Sequence, residues 1–145
     1  MKRIKALAES LYKKYGTCDP FRLCEELGIN LFFMKMPDAT SGLYYRICQK
    51  QVILINQSLK EPRKKFVAAH ELGHALLHPD ANSFFIKTKT AFEIGRFERQ
   101  ADYFAACLLT CSCLELAEFC DLSLEGLSAL TGADIQTLEY WRQNQ

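Results

Sequence analysis

His70 and His74 constrain this chain more than any other pair of residues. They stand four apart in the apolar run Val67-Ala68-Ala69-His70-Glu71-Leu72-Gly73-His74-Ala75-Leu76-Leu77-His78. On a helix that spacing sends both imidazoles out from one face. All three histidines of the chain fall within these nine residues 70–78, and polar rings on an apolar helix need a partner once they are buried. Glu71 follows the first histidine and completes the pattern H-E-x-x-H. Two neutral imidazoles can grip a divalent metal, and the adjacent carboxylate can take a proton from water. Gly73, between the two, trims bulk beside a neighbouring element at the expense of helix propensity.

Two protein ligands are too few for a catalytic zinc, so a third must come from another segment. Glu98-Arg99-Gln100-Ala101-Asp102 carries two carboxylates one helical turn apart. Glu98 is the leading third ligand, and Asp102 is suited to accept the free ring N–H of His70 or His74 from behind. His78 competes for the ligand role. From 70 to 78 a helix turns about 80° beyond two full turns, so one rigid helix does not easily wrap three ligands round one ion. His78 fits better as a cleft residue or a hydrogen-bond partner.

At 145 residues, with 49% hydrophobic and 24% charged, the chain reads as one globular domain able to bury its own core. Residues 112–145 form a small helical C-terminal extension of it. No apolar run reaches the ~18 residues of a membrane span. The basic start Met1-Lys2-Arg3 meets Glu9 and Lys13 too soon for a signal-peptide core. A cytoplasmic location is therefore expected. The seven cysteines, Cys18, Cys24, Cys48, Cys107, Cys111, Cys113 and Cys120, agree with it: their number is odd and their spacing matches no extracellular framework. Most read as small buried hydrophobes. Charge is uneven, with 13 Lys/Arg against 6 Asp/Glu in residues 1–65 and 5 against 11 in residues 66–145. The basic residues are interleaved with acids, which describes a solvated face rather than a nucleic-acid surface.

Ile4, Leu7, Ala8, Leu11, Tyr12 and Tyr15 recur at helical spacing, with Gly16 as the stop; Asp19-Pro20 starts a second helix that ends at Gly28. Three strands follow, at 29–36, 42–48 and 51–55, joined in the second case by a polar turn at Gln49-Lys50. They suggest a three-stranded antiparallel sheet, with the Tyr-rich strand at an edge where an extended peptide could pair. Pro62 opens the histidine helix and Pro79 closes it. A loop spans Asp80 to Thr90, and a long helix spans Phe92 to Leu109. Short helices are expected at Leu114–Phe119, Ser123–Leu130 and Ile135–Arg142. The last two have a helix-turn-helix rhythm, yet residues 111–145 hold six acids against Arg142 alone. Phosphate contacts dominate DNA affinity, so direct nucleic-acid binding is not expected. Trp141 reads as core. The fold class is thus α+β, mostly helical, with a small sheet packed beside the helix pair that bears the histidines and Glu98.

Thr40-Ser41-Gly42, Val52-Ile53-Leu54-Ile55-Asn56, the run from Arg63 to His78 and the run Glu98-Arg99-Gln100-Ala101-Asp102-Tyr103-Phe104-Ala105-Ala106-Cys107-Leu108-Leu109 together resemble the ImmA/IrrE family of zinc metallo-endopeptidases. The family's site is similar to that of thermolysin-like gluzincins. That resemblance implies a zincin-like domain with one Zn2+ on His70, His74 and Glu98, Glu71 as general base, and Asp102 behind a histidine ligand. It also implies a protein substrate, a helix-turn-helix transcriptional repressor in bacteria or their phages. Tyr103, Tyr44 and His78 stand as candidates for stabilising the oxyanion. The alternative is a zinc-loaded binding module, an anti-repressor or toxin–antitoxin component, that captures a repressor without cutting it.

Overall fold

The structure is a computed structural model that describes residues 1–80, 91–115 and 122–145, without the side chains of 91 and 112–115. In chain order the elements are α1 (Lys2–Tyr15), α2 (Pro20–Glu26), β1 (Asn30–Met34), β2 (Gly42–Ile47), β3 (Lys50–Asn56), α3 (Arg63–Leu77), α4 (Ala91–Glu115), α5 (Leu124–Thr131) and α6 (Ile135–Gln143).

Local chemistry explains most boundaries. Gly16 takes a left-handed conformation, φ 65°, and its N–H donates to Tyr12 O to close α1. Asp19 caps α2 by accepting from Phe21 N, with Pro20 in the first turn. Ser123 and Asp134 cap α5 and α6 in the same way, and Gly132 ends α5 at φ 75°. α4 runs on past Leu109 to Glu115, because no Gly or Pro interrupts residues 96–115. It therefore absorbs the start of the short helix expected at Leu114–Phe119; the rest of that helix and the loop after Asp80 lie outside the described residues.

The sheet corrects one expectation. Its order is β1-β3-β2, with β1 parallel to β3 and β2 antiparallel to it. It is mixed rather than purely antiparallel. β3 carries the run Val52-Ile53-Leu54-Ile55 and takes the centre, where Ile53 and Ile55 are wholly buried. β1 and β2 are consecutive in sequence yet sit at opposite edges, so the chain between them must pass across the C-terminal end of β3. β2 and β3 form a hairpin turned at Cys48 and Gln49, both at positive φ (47° and 68°), as a two-residue turn between twisted strands requires.

Helices α3 and α4 pack tightly through small residues. A Cβ on Gly73 would lie 3.2 Å from Ala101 Cα and 3.1 Å from Phe104 Cδ1. The apolar core joins α1, α2, the inner sheet face, α3 and α4, and continues through Leu127, Ala133, Leu138 and Trp141 of the C-terminal helices. No described helix is long and apolar enough to cross a membrane. Among the described cysteines Cys24, Cys107 and Cys111 are buried, Cys18 is half-buried and Cys48 exposed.

Candidate metal centre

α3 and α4 bring His70, His74 and Glu98 together, each offering one ligand atom, with all these atoms within 4.8 Å of one another. The two Nε2 atoms lie 3.1 Å apart. Glu98 Oε2 is 3.3 Å from His70 Nε2, and Oε1 is 3.4 Å from His74 Nε2. A tetrahedral site with bonds of 2.0–2.1 Å has ligands separated by roughly 3.3 Å; the two imidazole nitrogens are near that spacing, and each has a different Glu98 oxygen at about that distance. On the far side of the ring, His70 Nδ1 is 2.8 Å from Asp102 Oδ1. With Nδ1–H donated to that carboxylate, Nε2 is left as a lone-pair donor. Two imidazole nitrogens face to face repel unless a proton or a metal cation lies between them. The residues present therefore fit a divalent ion.

The electrostatics agree. His70 is pulled down by burial, but bonds to Asp102 and Glu98 and the charge of Glu71 outweigh this and carry it up to about 10. Glu98 is held well below the usual carboxylate range by its bonds to His70 and His74, against the opposing effect of burial. This is a pocket of anions asking for a cation. Glu71, only 7% exposed, is raised above its ordinary value by burial; the two histidines pull it down and Glu98 pushes it up. It lines a cavity of about 380 Å³ together with His70, Glu98 and Asp102. That cavity is closed on the sheet side by Thr40, Ser41 and Gly42, and elsewhere by Arg63 and Asp134.

The other residues singled out in the sequence go elsewhere. Tyr44 is buried, and its hydroxyl donates to Pro79 O at 2.9 Å while accepting from Gln51. Tyr103 is also buried and donates to Asn144 O at 2.8 Å. Neither tyrosine lines the cavity, so the structure does not bring them to the reacting position. His78 stacks on Phe97 with ring centroids 4.2 Å apart. Its ring lies 6.1 Å from that of His74. Burial, with His74 and Arg96 beside it, lowers His78 to about 4. Sequence reasoning missed Arg63 and Asp134 as walls of the cavity. They come from α3's first residue and α6's cap, 71 positions apart, and no spacing rule links them.

The class defined here is a helix-pair site of two histidines and a glutamate with a buried carboxylate alongside. The family model for the IrrE N-terminal-like domain of peptidases matches residues 24–120, and the chain belongs to this ImmA/IrrE metallopeptidase family. It is 39% identical over 106 residues to "Uncharacterized immunity region protein 2" of Bacillus phage phi105, covering 73% of this chain and 67% of that protein. It is also 30% identical over 109 residues to "Metallopeptidase ImmA" of Bacillus subtilis (strain 168), covering 74% of this chain and 63% of that protein. The matched segments thus span about two thirds of these relatives.

Proposed function

We propose that the chain is a zinc-dependent endopeptidase whose substrate is a helix-turn-helix transcriptional repressor. The observation that carries the reading is the convergence of His70 Nε2, His74 Nε2 and the Glu98 carboxylate beside a buried Glu71. His70, His74 and Glu98 would hold the zinc, and Asp102 fixes the tautomer and orientation of His70. Zinc, when bound, supplies Lewis acidity that polarises a carbonyl and brings the pKa of a water to about 7. Glu71 takes a proton from the attacking water on its carboxylate and delivers it to the departing amide nitrogen. Burial raises its proton affinity above that of an ordinary glutamate, which favours holding the proton until the amide nitrogen leaves. β2 is an edge strand that begins at Gly42 on the cavity wall, so an extended substrate segment can add to the sheet and run past Glu71. The phage immunity-region and ImmA names of the relatives support a regulatory protein as substrate.

The test is incubation of the zinc-loaded chain with candidate helix-turn-helix repressors from its own host or phage, followed by mass spectrometry. Cleavage should occur at one peptide bond and stop with chelator. Glu71→Gln should keep zinc and lose cleavage by at least a hundredfold. A Glu71→Gln chain that still cut the repressor at the wild-type rate would remove the base from the mechanism. Tight capture without cleavage by the wild-type chain would favour the binding-module reading instead.

A further inference from the structure

Glu71 has to be held in place, yet what faces its carboxylate from the sheet side is bare backbone. A Cβ on Gly42 would lie 3.0 Å from Glu71 Oε1, 3.1 Å from Glu71 Cγ and 2.8 Å from Val67 Cγ1. The main chain at Gly42 therefore sits directly against the base, and its position limits where that carboxylate can go. Gly42 is delivered by the stretch 35–41 that crosses the end of β3.

Asn56, the last residue of β3, catches that crossing stretch. Its Nδ2 donates toward Thr40 O at 2.9 Å and toward Met36 O and Pro37 O at 3.3 Å each. Its Oδ1 accepts from Ser58 N at 3.1 Å and Ser58 Oγ at 2.9 Å. Its backbone N–H donates to Ser41 O at 2.9 Å. The residue is 2% exposed, so both ends of the amide are committed inside the protein, and the three carbonyls have this one donor group in common. We infer that Asn56 is a positioning residue of the reaction: it ties the crossing stretch so that Gly42 sets the placement of Glu71. This rests on the reading of Glu71 as the base.

A double-mutant cycle separates this role from a merely structural one. Asn56→Asp keeps the shape but turns a carboxylate oxygen toward three carbonyls. With one zinc per chain retained, it should lower kcat ten- to a hundredfold, the order seen for a misplacement of about 1 Å, and leave KM within about twofold. In a Glu71→Gln background the same change should cost less than about twofold in residual rate, because the group it positions is gone. Asn56→Ser, which keeps a short donor and no charge, gives a second cycle should the aspartate variant fail to fold. Equal losses in both backgrounds, or a change confined to KM, would overturn the inference and leave Glu71 as base intact. A fully active Glu71→Gln chain would overturn both, and that result is read from the single variant alone.

Discussion

Replacing Gly73 by alanine tests the contact on which the metal centre depends. In most helices the change is favourable by about 1 kcal/mol, through propensity alone. Here the new methyl would meet Phe104 Cδ1 at 3.1 Å, Ala101 Cα at 3.2 Å and Ala101 O at 3.3 Å. Carbon atoms rest at about 3.5–4.0 Å, so the helices must part by roughly half an ångström. Two of the three neighbours are backbone atoms, and Ala101 and Phe104 are wholly buried, so neither can swing aside. Overpacking of this kind costs about 1–3 kcal/mol, and the upper part of that range applies. The net expectation is a loss of about 1–2 kcal/mol, seen as a Tm lower by about 3–7 °C for a chain of this length. Glu98 stands one turn before Ala101 on α4, so the same displacement moves its carboxylate, the proposed third ligand, from the two imidazoles. Zinc affinity, read by competition with a chromophoric chelator, should fall about tenfold, in the range found when a metal site's supports are disturbed. Gly95→Ala is the internal control. A Cβ there meets only Arg99 Nη1 at 3.8 Å, so this variant should gain up to about 1 kcal/mol from propensity. If Gly73→Ala were as stabilising as Gly95→Ala and bound zinc as tightly as the wild type, the close helix contact would not be what places Glu98.

Asp102→Asn should weaken zinc binding about ten- to a hundredfold while the fold persists, because the charged acceptor behind His70 is lost; unchanged affinity in a chelator competition would deny Asp102 that role. Chelator should lower the Tm of the zinc-loaded wild type but not of His70→Ala, since a ligand that binds only the folded state stabilises it by mass action; equal shifts in calorimetry would place the metal elsewhere. Cys24 is pushed up to about 12 by burial, with Asp19 and Glu25 adding to it. At pH 9 iodoacetamide should label the exposed Cys48 and spare Cys24, as peptide mapping would show. The unfolded thiol ionises near 9 while the folded one stays protonated, so stability should fall as pH rises from 9 toward 12. Cys24→Ala should flatten that slope in urea titrations, and an identical slope would contradict the shift.

Much of the site could be read from residue spacing because helical geometry is local. His70 and His74 four apart, and Glu98 and Asp102 four apart, each share a helix face whatever the rest of the chain does. Caps at Asp19, Ser123 and Asp134 were legible for the same reason, since a side-chain oxygen and the next turn's N–H are the only parties. Strand pairing was legible only in part. The Tyr-rich β2 lies at an edge as expected, but nothing local in residues 29–56 says that β1 pairs with β3 in parallel rather than with β2; that depends on how the chain between β1 and β2 crosses the sheet. The tyrosines show a similar limit. Tyr44 and Tyr103 are chemically able to stabilise an oxyanion, but their hydroxyls are spent on Pro79 O and Asn144 O, partners set only by tertiary packing. Asn56 was visible as part of a motif, while its grip on the chain between β1 and β2 emerges only when that chain crosses over it.

Under the proposed function, side chains from α3 and α4 close on one divalent ion. Anomalous diffraction from crystals of the zinc-loaded protein, collected on both sides of the zinc edge, tests it directly. One peak should appear about 2.0–2.2 Å from His70 Nε2, His74 Nε2 and a Glu98 carboxylate oxygen. A chain that holds zinc but shows its peak away from these atoms, or whose Glu98 carboxylate turns away from both rings, would contradict the account.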